Sequence, residues 1–303
     1  MDKLNIVTGA TGYTGKYVTR RLLAMGQRVK SLTNHPYRKN PFGDTVPKLP
    51  YNFENPEALT ESMLGATTLY NTYWVRFSHK EITFDSAVKN TRILIEAAKR
   101  AGIKRIVHAS IANPDPNSNL PYYRGKGLLE QAIIESGLSY AIIRPTVIFG
   151  PEDILINNIA WLLRKFLLFA IVGSGEYKIQ PIFIEDMTEL MIKAGKQTEN
   201  IIWDAVGPEI FTFNELVELI RRRIHSRSSI IHISPKIMLP LSRLIGCMVQ
   251  DVVLTKEEID GLLANLLVSS QPPTGRTRFT EWLKQNASIL GTGYASELRR
   301  HYR

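Results

Sequence analysis

Three glycines, Gly9, Gly12 and Gly15, follow a short apolar run, Leu4–Val7, and lead into a segment of helical pattern. Glycine at such a turn lets the backbone approach a bulky anion, and the amides that open the following helix then point at it. A dinucleotide pyrophosphate is the group that needs both. The surrounding charge agrees: Lys3–Gly43 holds eight Lys/Arg and no Asp or Glu. The 303-residue chain has 38 Lys+Arg against 28 Asp+Glu, a formal net charge of +10, and most of the excess sits in that stretch and in residues 275–303. A basic balance suits an anionic partner: nucleic acid, a membrane surface or a phosphorylated small molecule. Its concentration around the glycines favours the small molecule, and no nucleic-acid partner is expected. Other chemistry finds little support. The six histidines lack His-x-x-x-His spacing, the single Cys247 can build neither a disulfide nor a zinc site, and no metal is expected. No Gly-x-Ser-x-Gly elbow occurs. His108 falls on an apolar run as a core residue, and Arg221–Arg223 reads as a solvated helix end.

The elements that position these residues alternate. Strands are expected at Leu4–Val7, Arg28–Thr33, Thr67–Thr72, Arg105–Ala109 and Ser139–Arg144. Helices are expected at Lys16–Met25, Pro56–Leu64, Thr83–Ala101 and Gly125–Ser136, several closed by glycine. Residues 36–50 and 113–121 are rich in Pro, Gly and Asn and read as loops. Such alternation predicts an α/β fold, a doubly wound parallel sheet of Rossmann type, with a smaller, mainly helical C-terminal substrate subdomain. The dinucleotide domain is expected over 1–150, with elements near 175–195 returning to it, and the substrate subdomain over 151–303. There, helices are expected at Asn157–Ala170, Ile184–Lys193 and Phe213–Arg223, the last opened by Thr212 with Glu215 three positions on, a strand at Ile230–Ile233, and mostly helix over 235–270. The longest apolar region, Ile159–Val172, is broken by Arg164 and Lys165, so no membrane-spanning segment is expected. With no signal-peptide pattern at the start and one cysteine, a cytoplasmic location is expected.

The words Thr8-Gly-Ala-Thr-Gly-Tyr-Thr-Gly15 carry the spacing G-x-x-G-x-x-G and resemble the extended and atypical short-chain dehydrogenase/reductases, of the NAD-dependent epimerase/dehydratase superfamily. Further words follow in order: Leu94-Ile-Glu-Ala-Ala98, Gly102-Ile-Lys-Arg-Ile-Val-His-Ala-Ser110, Tyr122-Tyr-Arg-Gly-Lys126, Arg144-Pro-Thr-Val-Ile-Phe-Gly-Pro151, Gln180-Pro-Ile-Phe-Ile-Glu-Asp186 and Gly207-Pro-Glu209. The resemblance covers residues 1–220 and is nearest to NmrA-like proteins and the nucleotide-binding accessory subunit of mitochondrial complex I. The basic ending Leu298-Arg-Arg-His-Tyr-Arg303 also looks like that subunit's and is a candidate contact for an anionic surface.

The resemblance implies cofactor contacts at Gly9, Thr11, Gly12, Tyr13, Thr14 and Gly15. It places Asn52 and Phe53 beside the adenine, Asn71, Thr72 and Tyr73 under the cofactor, and Pro145 and Val147 beside the nicotinamide. Members that bind NAD carry an acidic residue at the end of the second strand, for the ribose 2′-hydroxyl. Here Thr33-Asn34-His35 stands there, with Arg38 and Lys39 beyond, so NADP(H) is favoured over NAD(H). Tyr122, Lys126 and Ser110 match the family's catalytic set: tyrosine as acid/base, lysine one turn on to favour the phenolate and hold the ribose, and serine to polarise the substrate oxygen. Tyr122 follows Ser110 by only twelve positions, and the family's helix-borne asparagine falls near Ala87, with Asn90 one turn later. The run Tyr73-Trp-Val-Arg-Phe77 either lines a substrate cleft or packs under the second domain. The implied function is an NAD(P)H-binding oxidoreductase or epimerase-like enzyme acting on a carbonyl or carbinol of a small molecule. The alternative is a non-catalytic dinucleotide-binding redox sensor or accessory/assembly factor.

Overall fold

A computed structural model describes residues 3–301. The chain divides into two compact units, residues 1–145 with 187–204, and residues 146–186 with 205–303. The first unit runs β1 (Leu4–Thr8), α1 (Tyr13–Ala24), β2 (Arg28–Thr33), β3 (Lys48–Pro50), α2 (Pro56–Met63), β4 (Thr68–Asn71), α3 (Phe84–Arg100), β5 (Arg105–Ala109), α4 (Pro121–Glu135) and β6 (Ser139–Pro145). The second unit opens with β7 (Val147–Phe149), α5 (Leu155–Lys165), β8 (Leu168–Val172), β9 (Lys178–Ile179) and β10 (Pro181–Phe183). Helix α6 (Ile184–Gly195) leads back into the first unit, where β11 (Ile201–Ala205) follows. The chain then builds β12 (Phe211–Thr212), α7 (Phe213–Arg223), β13 (Ser229–Ile233), α8 (Pro235–Val249), α9 (Lys256–Leu263), α10 (Phe279–Asn286) and α11 (Glu297–His301).

The first unit is a doubly wound sheet of seven strands in the order β11-β6-β5-β4-β1-β2-β3, with parallel registers such as Ile6↔Lys30, Ile6↔Leu69 and Ile106↔Tyr140. Its inner strands are apolar runs because helices cover both faces. Ile6, Leu69, Leu94, Ile106 and Ile142 are fully enclosed in its core. The order reverses between β1 and β4, so the β1–α1 turn and the ends of β4 and β5 lie together at the carboxyl edge, where such sheets bind ligands. The second unit packs Phe149, Ile156, Leu216 and Phe279 into a core of its own. It carries three two-stranded sheets: β7 with β10, β8 with β13, and β9 with β12. Thr212 and Glu215 form a reciprocal cap on α7.

Four expectations change. The first unit closes at Pro145 instead of residue 150, because β7 pairs with β10 instead of the large sheet, and the return expected near 175–195 is made by residues 187–204. The helix expected over Asn157–Ala170 stops at Lys165: Phe166 turns to extended backbone, and Leu168–Val172 becomes β8. The loop 36–50 ends in β3, and α4 begins at Pro121, so Tyr122 lies in its first turn. Strand β11 has no counterpart in the sequence reading. Among the described residues, no helix is long and apolar enough to cross a membrane. In the basic ending, Leu298 is buried and Arg300 donates from Nη1 to the Glu152 carbonyl, while Tyr302 and Arg303 lie outside the described residues.

Candidate functional site

The β1–α1 turn shows why its residues are glycines. Gly9 has φ +64°, the left-handed region, and its amide donates to the Leu32 carbonyl at 2.7 Å. A Cβ on Gly15 would stand 2.2 Å from the Gly9 oxygen, so only glycine lets α1 start this close to β1. Gly12 caps α1 without a side-chain acceptor, and no acidic residue enters the first turn. The helix therefore presents its positive end to the turn, uncapped by protein carboxylate. A cradle that a Cβ would fill, facing an acid-free helix start, fits a pyrophosphate. Thr11, Tyr13 and Thr14 lie in or beside it, Tyr13 edge-on to Tyr17.

Beneath the turn lies a buried polar network. The Thr8 hydroxyl receives the Thr72 amide at 2.6 Å and reaches Asn71 Oδ1 at 3.2 Å, while the Thr72 hydroxyl donates to the Thr8 carbonyl. Asn71 is fully enclosed, accepts from the Tyr73 amide and meets His108 Nδ1 at 3.0 Å. Burial, with Lys126 nearby, holds His108 well below the ordinary histidine range, so it is neutral. Its Nδ1 then accepts from the Asn71 amide and the proton sits on Nε2. Thr8, His108 and the polar strand end Asn71-Thr72 thus lock β1, β4 and β5 together at the edge where the turn sits.

Just after β3, Asn52 has φ +48°, and Phe53 stacks on Tyr51 with ring centroids 4.8 Å apart. Tyr73 closes the cluster and receives the Asn90 amide on its hydroxyl at 3.2 Å. Beyond β2, Asn34 is exposed, while His35 and Arg38 are half-buried in the following turn. Pro145 ends β6 and accepts from the Ala112 amide; Val147 belongs to the second unit, in β7, opposite Pro181.

Helix α4 brings Tyr122 and Lys126 to one face, one turn apart. Trp74 touches both: its ring lies 5.7 Å, edge-on, from that of Tyr122, and Lys126 Nζ sits 4.6 Å from its centroid. Gly125 makes the contact possible, since a Cβ there would meet the indole at 2.6 Å. Lys126 is 3% exposed and donates to the Ala109 carbonyl at 2.7 Å. Burial pushes its ammonium down to about 7, the Glu130 carboxylate opposing. The Ser110 hydroxyl donates to Glu130 Oε1 at 2.5 Å, and Arg144 grips the same carboxylate through Nε and Nη2. A serine has one proton, so while Glu130 holds it Ser110 cannot donate to a second oxygen.

The structure thus gathers Thr8, Asn71, Thr72 and His108 around the turn, and Tyr122 and Lys126 around Trp74. Ser110 is drawn instead into a carboxylate pair with Arg144. Glu130 is the residue that sequence reasoning left without a role, and Trp74 stood there only as one member of the run Tyr73–Phe77. The available signal for Glu130 was its place four positions after Lys126, on the same helix face. Among the described residues, no group of three or more His, Cys, Asp or Glu is placed to hold a metal ion.

The model of the NAD dependent epimerase/dehydratase family matches residues 5–204. The 40 kDa subunit of mitochondrial NADH-ubiquinone oxidoreductase from Neurospora crassa is 25% identical over 269 residues, 84% of this chain and 69% of that protein. The NADH dehydrogenase 1 alpha subcomplex subunit 9 of Arabidopsis thaliana is 24% identical, over 70% of this chain and 56% of its own length. The photosystem II assembly factor Ycf39 of Cyanophora paradoxa is 24% identical, over 80% of this chain and 75% of its own. Among solved structures, the UDP-glucose 4-epimerase of Thermus thermophilus in complex with NAD shares the fold, with a TM-score of 0.69 and 17% identity over 96% of this chain and 99% of that one.

Proposed function

The chain belongs to the NAD dependent epimerase/dehydratase family, and from that premise we propose that it binds a nicotinamide dinucleotide, NADP(H) in preference to NAD(H), at the β1–α1 turn and acts as an oxidoreductase or epimerase-like protein. The observation that carries this reading is the Gly9–Gly15 approach, where a Cβ would come within 2.2 Å of a carbonyl oxygen. The turn residues Gly9 to Gly15 hold the pyrophosphate. Asn34, His35 and Arg38 supply donors where a carboxylate would repel a 2′-phosphate. Phe53 with Asn52 borders the adenine, and Asn71, Thr72 and Tyr73 shape the floor. The cofactor supplies hydride chemistry when bound. Tyr122 holds the proton that passes to or from a substrate oxygen, and the Lys126 ammonium favours its phenolate. Ser110 takes part only where Glu130 releases its proton.

The Trp74 indole, in contact with both Tyr122 and Lys126, favours a second reading: a dinucleotide-binding accessory or assembly factor without turnover. The names of the complex I and photosystem II relatives point the same way.

Fluorescence titration with NADPH and NADH tests the binding. The wild type is expected to bind NADPH tighter, and Arg38→Glu to abolish or reverse the preference; tighter NADH binding by the wild type refutes the NADP(H) assignment. A panel of carbonyl substrates with Tyr122→Phe as control tests the chemistry. Turnover lost in Tyr122→Phe supports the enzyme, turnover that survives it removes Tyr122 from the role, and binding without turnover supports the accessory reading.

A further inference from the structure

The near-neutral middle of the chain conceals a strongly basic segment. From Leu219 to Gln250 there are six Lys/Arg and no Asp or Glu. Arg221 and Arg222 pair with Glu218, just before it, whereas Arg243 has no hydrogen bond or ion pair among the described residues. The last half of this segment is α8. Its inner face is buried through Met238, Ser242 and Gly246. Its outer face carries Ile237, Leu244 and Met248, 57%, 62% and 63% exposed. Spacings of seven and four place these on one stripe, with exposed Pro240 filling the gap and exposed Lys236 and Arg243 beside it. Large apolar side chains aligned this way mark a contact surface more than ordinary soluble surface does.

A cavity of about 490 Å³ opens against the C-terminal half of α8, lined by Arg243, Gly246, Val252, Leu254 and Leu298, with Asp251 in its wall. The Asp251 carboxylate is fully engaged: it accepts from the amides of Val252, Glu297 and Leu298 and from the Tyr294 hydroxyl. Its lone pairs are therefore taken by neutral donors, and Arg243 is the cation lining the cavity. Apolar walls beside one unengaged guanidinium match an amphiphile with an anionic head, and the acid-free flank matches a surface of the same sign.

We propose that α8 docks the protein on a bilayer containing anionic phospholipid. The Ile237–Leu244–Met248 stripe seats at the boundary of headgroups and acyl chains, as interfacial amphipathic helices do. Lys236 and Arg243 meet lipid phosphates, with the cavity beside Arg243 receiving one lipid. The cavity meets the basic C-terminal ending only at buried Leu298, while Arg300 in that ending holds the Glu152 carbonyl. The proposal does not depend on the dinucleotide reading, since α8 lies in the second unit and the β1–α1 turn in the first.

Co-sedimentation of the full chain with vesicles tests it. Binding is expected to phosphatidylcholine mixed with phosphatidylglycerol, to fall with rising salt, and to be weak on phosphatidylcholine alone. Leu244→Glu with Met248→Glu removes the stripe, and Arg243→Glu reverses the charge at the cavity; each is expected to weaken binding by roughly tenfold or more. These positions are exposed, so thermal melts and NADPH titration should match the wild type, and an unaltered melt excludes misfolding as the cause. No binding to anionic vesicles overturns the proposal, as does binding that survives both sets of substitutions. A wild-type dimer in light scattering that Leu244→Glu converts to monomer also overturns it, by giving the stripe to a second copy.

Discussion

Gly15 has no room for a methyl group: its Cβ position is 2.2 Å from the Gly9 oxygen and 2.7 Å from the Gly9 carbonyl carbon. Gly15→Ala must push α1 off β1, at a cost of about 1–3 kcal/mol from overpacking. Calorimetry should show the lower Tm, and titration should show dinucleotide affinity falling further than the stability loss explains. Gly26, at φ +70° with open space around it, gives a control: alanine there strains the backbone but leaves the cofactor turn alone. Lys126 supports a pH prediction. Its folded pKa of about 7 lies below the ordinary 10.5, with burial as the main cause. Below about 7 the side chain is charged in both folded and unfolded chains, and the full cost of burying the charge is present. Between about 7 and 10.5 the unfolded chain holds a proton that the folded chain has lost, so this contribution to stability improves as pH rises. Lys126→Met should therefore stabilise the protein more at about pH 6 than at about pH 10, read from denaturant melts at the two values. Equal gains at both would show that Lys126 titrates normally in the fold.

At the scale of elements, α4 is joined to β5 and β6 by one carboxylate. Glu130 on α4 is 6% exposed and takes its bonds from Ser110, which follows β5, and Arg144 on β6. Arg144→Met leaves that charge buried beside a single hydroxyl, and should cost about 2–4 kcal/mol. The double variant Arg144→Met with Glu130→Leu removes the orphaned charge and should recover part of the loss. A double variant no more stable than Arg144→Met alone would show that the pair is not coupled. Ser110 is the residue on which sequence and structure part. Its place at a strand end was legible, but its partner stands twenty positions on, and only the packing of α4 over β5 and β6 brings the two together. The alternation of strand and helix through Arg144 was legible because buried parallel strands are apolar runs and the helices between them close at Gly26, Gly102 and Gly137. Strand β8 was not, because Leu168–Val172 resumes the apolar pattern of α5 directly after Arg164-Lys165, with no glycine or proline to mark where the helix stops. Strand β11 escaped because Ile201–Ala205 is an edge strand, half-exposed and with no alternation to mark it. Tyr122 and Lys126 were found through the resemblance to the family's Tyr-x-x-x-Lys pair; the Trp74 contact was not, since the cleft and packing readings of Tyr73–Phe77 are equal until the ring is placed.

At the scale of the whole molecule, the first unit is discontinuous: the chain leaves at Pro145 and returns for residues 187–204. The family match also ends at residue 204 and so takes in the returning segment. Its contribution is specific. Arg105 on β5 donates from Nε to the Ala194 carbonyl at 2.9 Å and from Nη2 to that of Glu199 at 2.9 Å. The Tyr140 amide on β6 donates to Asn200 Oδ1, and Gly195 leaves space for the Tyr70 hydroxyl, which would stand 2.2 Å from a Cβ. Without this segment β6 becomes an open edge and Arg105, 5% exposed, keeps a buried charge with two carbonyl acceptors lost and only the Ser139 hydroxyl left. A fragment of residues 1–145 is therefore expected to aggregate or melt well below the intact chain. The same fragment joined through a flexible linker to 187–204 should be soluble, melt cooperatively and keep NADPH binding, because the β1–α1 turn lies wholly within it. If the shorter fragment alone proves stable and binds equally well, the returning segment is dispensable, and the buried guanidinium of Arg105 must find water instead of the Ala194 and Glu199 carbonyls.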